Sequence, residues 1–305
     1  MPRFDFQKVS RRLIVVGLLA TAATGFSSCH RKSEPPPQNA VAALMTDYGL
    51  RDPSVAEMKG AMLSVNPLLH LVDLTHEVEP FNTNEAAFIL NQAAREFPEG
   101  TVFLAVVTPN TDQEAPKQPI LVMTEANKYY IAPDNGVLTL VLQREKFLKG
   151  WRLDKPEFYR KNGTSTAFQG RDIIGPVGAH LLSGVVPDRL GTPLKHADLE
   201  TLSISSASTT GQNTTGQIWH IDNFGNIITN ISNDEGSTLK EGSLLKATVS
   251  GQTVSGPLVK NFHELPKGRL GFLFSSQGLL EICVSQGSAA KQVNAKVGEP
   301  VIIRQ

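Results

Sequence analysis

Residues 83–107 read TNEAAFILNQAAREFPEGTVFLAVV. Ala86, Phe88, Ile89, Leu90 and Ala93 recur at the spacing that gives a helix one apolar face. Thr83 is a residue type that caps a helix start. After Pro98, Glu99 and Gly100 the pattern changes to TVFLAVV, a short continuous apolar run expected to be a strand buried on both faces. A helix feeding a buried strand is the unit of an α/β sheet.

The same alternation extends in both directions. Upstream, VAALMTD (41–47) reads as a strand ending at a polar turn. PSVAEMKGAMLSVNP reads as a helix with Val55, Met58, Ala61, Met62 and Val65 on its apolar face and Pro67 closing it. LHLVDLTHEV is a second strand. Downstream, PILVMTEANKYYIAP has the form of a hairpin turning near Glu125-Ala126-Asn127, and RDIIGPVGAHLLSGV is expected to be a helix from about Asp172. Residues 42–200 are therefore expected to form an α/β domain with helices on both faces of the sheet.

LSISSASTTGQNTTGQ interrupts the rhythm and reads as a linker over 201–215. Short β-type runs with Gly, Asn and Ser turns follow, so residues 216–305 are expected to be an all-β domain, a barrel or sandwich.

Lys8, Arg11 and Arg12 precede the apolar run LIVVGLLATAATGF, which is short for a membrane span. The run ends at Phe26-Ser27-Ser28-Cys29. Residues 1–28 resemble a bacterial lipoprotein signal with lipidation at Cys29; an ordinary secretory signal or an uncleaved anchor is the alternative. Residues 29–41, with RKSEPPPQNA, read as a Pro-rich tether. The expectation is an exported protein, anchored through lipid on the periplasmic or cell-surface side. Cys283 is then the one remaining cysteine and has no disulfide partner; LLEICVS reads as a strand that buries it.

The 305 residues carry 29 basic and 29 acidic side chains, a net charge of zero, so no basic excess points to nucleic acid. No Gly-rich phosphate loop, GxSxG elbow or metal signature occurs. Asp73 and His76 in DLTH are ligand types, but on a continuous strand they would face opposite ways.

Three polar clusters interrupt the apolar pattern. Asp47 stands in LMTDYGLRDP at the end of the first strand, where α/β sheets bind ligands. YIAPDNGVLT gathers Pro, Asp, Asn and Gly into one turn, and HIDNFGNIITN places Asp222, Asn223, Asn226 and Asn230 around Phe224-Gly225. Each alone is ordinary turn chemistry.

Taken together with MKGAMLSVNP, VDLTHEVEP, AAFILNQAAREFPEGTVFLAVV, GRDIIGPVGAHL and SSQGLLEICVSQGSAA, these clusters resemble the S-adenosylmethionine (SAM) hydrolases, or SAM hydroxide adenosyltransferases, a family that includes the SAM-dependent fluorinase and chlorinase. The resemblance runs from about Ala43 to Arg304. It implies an α/β domain followed by a β-barrel, and a homotrimer with SAM at subunit interfaces. It implies attack by water, hydroxide or halide on the 5′ carbon of SAM, without metal or cofactor.

The resemblance also implies roles for particular residues. Asp47 would hold the ribose hydroxyls and Phe168 would pack near the reacting carbon. Asp222 would meet the methionine amino group and Ser276 its carboxylate. Phe224 and Asn226 would lie around the adenine.

The chain departs from the hydrolases where they place an Asp-Arg-His set to position water. Thr108 stands at the Asp position, Ala115 near the Arg position, and Gln169 at the His position. Thr and Gln are neutral hydrogen-bonding groups that cannot take a proton near neutrality. Asp112, Glu114 and Lys117 are neighbours that could compensate. Thr111 falls on a Thr that lines the halide pocket of the halogenases, but Thr108 replaces their Tyr, and Asp112 would repel a halide. Gly170 stands where the fluorinase has Ser, although Gly is the ordinary hydrolase residue. The sequence thus points to a SAM hydrolase-like enzyme with altered water-positioning residues, Thr108, Thr111 and Gln169. Two other readings stay open: a non-catalytic lipoprotein that binds SAM or an adenosine-like molecule, and a SAM-dependent halogenase.

Overall fold

Seven strands form the first sheet of the computed structural model, in the order β2-β1-β3-β5-β4-β6-β7. The structure describes residues 34–305 apart from 38, 109–116, 162, 164 and 165. β1 (Val41–Thr46) lies parallel to β2 (His70–Thr75) and β3 (Val102–Val106), and β3 is parallel to β5 (Tyr129–Pro133). β4 (Pro119–Thr124), β6 (Phe147–Arg152) and β7 (Thr192–Leu194) continue it antiparallel.

The two-faced burial expected from TVFLAVV is observed. Val102, Leu104 and Val106 enter one core cluster with Met58, Met62 and Val177. Phe103, Ala105 and Val107 enter the other with Ala86, Leu90 and Val141. Alternate residues of one strand thus serve two cores, because strand side chains alternate in direction. Helices α1 (Ser54–Val65) and α4 (Gly175–Leu182) cover the first face, and α2 (Thr83–Ala93) and α3 (Thr139–Glu145) the second.

Two helix starts differ from the sequence expectation. The cap of α2 is Asn82, whose side chain accepts the Glu85 N–H at 3.0 Å, and Thr83 is already helical. The helix at RDIIGP starts at Gly170, two residues before Asp172, with a wide first stretch in which the Gly175 N–H reaches the Gly170 carbonyl. Pro176 lacks the N–H that ordinary helical bonding would use there.

Part of the Pro-rich entry segment packs on the α/β domain. The Glu34 carbonyl accepts the Tyr129 hydroxyl at 2.7 Å, and Pro36 is buried. These contacts lie at the start of β5, the sheet end opposite Asp47. Residues 1–33, including Cys29, lie outside the described residues.

The second sheet is antiparallel throughout. Its order is β12-β11-β15-β9-β10-β14-β13, with β8 (Ser208–Thr210) on β9. The strands are β9 (Asn213–Ile221), β10 (Ile227–Ser232), β11 (Leu244–Val249), β12 (Gln252–Pro257), β13 (Leu270–Phe274), β14 (Leu279–Val284) and β15 (Pro300–Arg304). The two end strands approach each other: the Val259 N–H reaches the Phe272 carbonyl at 2.8 Å, and Leu258 bridges Phe272. The sheet is nearly a barrel around Ile218, Ile227, Leu245, Phe272 and Val301. Cys283 is fully buried, and burial pushes its thiol pKa up to about 12, which keeps it protonated and inert.

The two domains meet along α2. Phe88 packs against Trp219 at 5.5 Å between ring centroids, and His220 Nδ1 lies 2.7 Å from Glu85 Oε1. Ala87, Leu140, Ile228 and Leu279 complete this seam.

Candidate functional site

The residues singled out in the sequence gather into two groups, one in each domain. The first lies at the C-terminal ends of β1 and β3. Asp47 ends β1, and its Oδ2 accepts the Thr108 N–H at 3.0 Å and the Phe81 N–H at 3.3 Å. Thr108 adds its hydroxyl. Oδ1 is buried and finds no donor among the described residues. Burial raises the Asp47 pKa above the usual carboxylate range, against the opposing pull of these backbone hydrogen bonds. The outcome is a carboxylate fixed by one oxygen, with the other short of a donor.

Thr108 is therefore engaged with Asp47 rather than standing free. Asn135, from the PDNG turn, donates to the Val107 carbonyl at 2.9 Å and holds the strand end that precedes Thr108. Thr111, Asp112, Glu114 and Ala115 lie outside the described residues.

Tyr48, next to Asp47, meets the Phe168 ring edge-on at 5.4 Å. The Arg171 guanidinium covers the same ring at 4.6 Å from its centroid. Arg171 is in turn forked onto the buried Asp172, at 2.7 and 3.0 Å, and reaches Glu57 at 2.8 Å. Gln169 donates its amide to the Lys117 carbonyl at 3.0 Å, so its NH₂ ties two chain segments together. A Cβ at Gly170 would run into Tyr48 Oη, so any side chain there would displace the tyrosine.

Phe81 belongs with this group although sequence reasoning passed over it. It is 51% exposed and holds φ at 68°, a strained conformation for an aromatic residue. The available signal was an aromatic residue wedged between Pro80 and the capping Asn82.

The second group stands at the β9–β10 turn. Asp222 Oδ1 accepts the Phe224 and Asn226 N–H groups at 2.9 and 2.8 Å, and Oδ2 accepts the Asn226 side-chain amide at 2.8 Å. One N–H of that amide is thereby used, and the bond turns the Asn226 carbonyl oxygen and the second N–H away from Asp222. Gly225 has φ of 81° and packs its α-carbon against Ser288, so a larger residue is excluded there. Phe224 is 77% exposed.

Phe224 and Asn226 line a cleft of about 810 Å³, walled by Phe262, Leu265 and Val284. His263, Lys267 and Gln286 add polar groups. Sequence reasoning missed these wall residues because barrel closure, not chain proximity, brings them to Asn226. Ser276 is exposed in the turn before β14. It follows Ser275, which hydrogen-bonds Glu281.

Burial, with the Asp222 charge second, pushes the Glu281 pKa up to about 7 from the usual 4.5. Between those values the folded chain holds a proton that the unfolded chain has released, so stability falls as pH rises from about 4.5 to about 7. Glu281→Gln is expected to flatten that slope, read as melting temperature against pH.

Asp73 and His76 do meet. β2 ends at Thr75, and His76 Nε2 turns back to 3.0 Å from Asp73 Oδ1. Among the described residues, no cluster of three or more His, Cys, Asp or Glu side chains is arranged to hold a metal ion.

A carboxylate at a strand tip with an unused acceptor, and an apolar cleft edged by an amide, define a two-domain small-molecule-binding protein of the α/β-plus-barrel class. The sequence model of the SAM hydroxide adenosyltransferase N-terminal domain matches residues 42–191, and that of the C-terminal domain residues 216–302. The chain belongs to the SAM hydroxide adenosyltransferase family.

Among its relatives, the (R)-S-adenosyl-L-methionine hydrolase of Thermus thermophilus is 33% identical over 269 residues, covering 84% of this chain and 96% of that protein. The fluorinase of Nocardia brasiliensis is 28% identical over 290 residues, covering 87% and 96%. The crystal structure of an uncharacterized conserved protein from Thermotoga maritima superposes with a TM-score of 0.80 at 31% identity, covering 87% of this chain and all of that one.

Proposed function

We propose that this protein binds SAM and replaces its methionine with water at the 5′ carbon, giving adenosine and methionine. The observation that carries the reading is Asp47. Its buried Oδ1 lacks a donor among the described residues, and vicinal ribose hydroxyls are a pair of donors of the right kind. The cleft beside Phe224 and Asn226 offers an aromatic face and a carbonyl acceptor to an adenine.

In this reading a second copy of the chain brings the two groups of residues together, in a homotrimer as the family resemblance implies. Support comes from large apolar side chains left exposed in both domains: Leu50, Leu68 and Phe81 in the first, Phe224 in the second.

Water contributes a lone pair to form the C5′–O bond. The C5′–S pair leaves with sulfur, which passes from sulfonium to neutral thioether, and the spare proton goes to solvent. The sulfonium makes methionine a good leaving group, so the protein's task is in-line positioning and removal of competing water.

A second reading is binding without turnover. It rests on Thr108 and Gln169, which are neutral and already engaged, with Asp47 and with the Lys117 carbonyl. Export through residues 1–29 is part of the proposal. It rests on the basic-apolar-Cys pattern and would give the protein released adenosyl compounds rather than the cytoplasmic pool.

The test is incubation of purified protein with SAM, with and without chloride. Adenosine and methionine are the expected products. SAM binding without product would replace the hydrolase reading with the binding one, and 5′-chloroadenosine would indicate a halogenase.

A further inference from the structure

Beneath the Asp47 turn, the ring Nδ1 and the main-chain carbonyl of a buried histidine both meet the same short stretch of chain. His76 is 3% exposed. Its Nδ1 lies 2.9 Å from Thr46 Oγ1, and Thr46 is fully buried. That same oxygen accepts the Tyr48 N–H at 3.3 Å. The His76 carbonyl accepts the Gly49 N–H at 2.7 Å. Asp47 sits inside this grip: the residue before it and the two residues after it all lead back to His76.

Thr46 Oγ1 accepts from Tyr48 and keeps its hydroxyl proton for a further partner. In the tautomer with the ring proton on Nε2, on the Asp73 side, Nδ1 is the acceptor of that proton. Nε2 faces Asp73 Oδ1 at 3.0 Å without the alignment of a hydrogen bond. Asp73 is itself held by Lys59 at 2.6 Å. The Thr46 bond is therefore the directed one, and the Asp73 contact is the looser support behind it.

We propose that His76 is a positioning residue for ribose recognition, acting through Thr46 to aim the Asp47 carboxylate. This rests on the ribose reading of Asp47 given above. Asp47 receives two backbone donors on Oδ2, so its orientation depends on where the strand tip stands relative to Phe81 and Thr108. A displacement of the tip of about 1 Å is enough to cost a positioned interaction heavily.

Two polar substitutions separate positioning from general support. In His76→Asn the side-chain carbonyl can stand where Nδ1 stood and accept from Thr46, but does not reach Asp73. In His76→Gln the amide reaches toward Asp73, but no acceptor remains at the Nδ1 place.

The experiment is calorimetric titration of adenosine and of 2′-deoxyadenosine into the purified full chain, its Asp47→Ala variant and the two His76 variants, with a melting curve for each. The wild type is expected to prefer adenosine by about ten-fold or more. His76→Asn should keep most of that preference. His76→Gln should lose it, down to the level of Asp47→Ala, even where the two His76 variants melt together. An unchanged preference in His76→Gln, or equal losses in both His76 variants, would overturn the positioning role. A wild type that does not distinguish the two nucleosides would instead overturn the ribose reading itself.

Discussion

Asp47→Ala is expected to weaken adenosine and SAM binding by about 100-fold or more while leaving the protein folded. The carboxylate would accept both ribose hydroxyls. A hydrogen bond to a charged group contributes about 1.5–3 kcal/mol, and each 1.4 kcal/mol is about a factor of ten. The protein itself loses little: Asp47 is only partly buried, and the Phe81 and Thr108 N–H groups it held stand in exposed residues that water can reach. Calorimetric affinity together with a melting curve checks this. An unchanged affinity would remove Asp47 from the site.

The second large effect is on stability. Asp172 is fully buried and takes Arg171 at 2.7 and 3.0 Å and Arg160 at 3.2 Å. Asp172→Ala leaves two guanidinium groups gathered around a missing charge, which costs about 3–5 kcal/mol for a buried pair. Both arginines are partly exposed, which favours the low end of that range. About 3 kcal/mol corresponds to a melting temperature lower by roughly 6–12 °C in a domain of this size. The same change frees Arg171, which covers the Phe168 ring, so ligand affinity should fall as well. A shift under about 2 °C would mean that the network contributes little.

The α/β half was legible because its strands are buried on both faces and its helices on one, and these two periodicities differ. TVFLAVV and the Ala86–Ala93 stripe carry that information within a few residues. The start of α2 was harder to read: Asn82 and Thr83 are both capping types, and only the backbone turn at Phe81 decides between them. Asp47 could be read from its place at a strand end.

What Asp47 touches could not be read. Thr108 and Phe81 reach it through backbone N–H groups, and a backbone donor carries no residue-type signature. Gly170 looked like the ordinary residue of its motif; its reason is Tyr48 Oη, 122 positions away. The barrel cleft depends on closure between β12 and β13, so Phe262 and His263 had no visible link to Asn226.

The central claim is that water, rather than another nucleophile, attacks the 5′ carbon of SAM. Incubation of the purified full chain with SAM in ¹⁸O-labelled water, followed by mass spectrometry of the nucleoside, tests it most directly. The expected result is adenosine carrying ¹⁸O at its 5′ hydroxyl, formed together with methionine and strongly reduced in the Asp47→Ala sample at the same SAM concentration. Intact SAM after prolonged incubation at saturating protein would contradict the account.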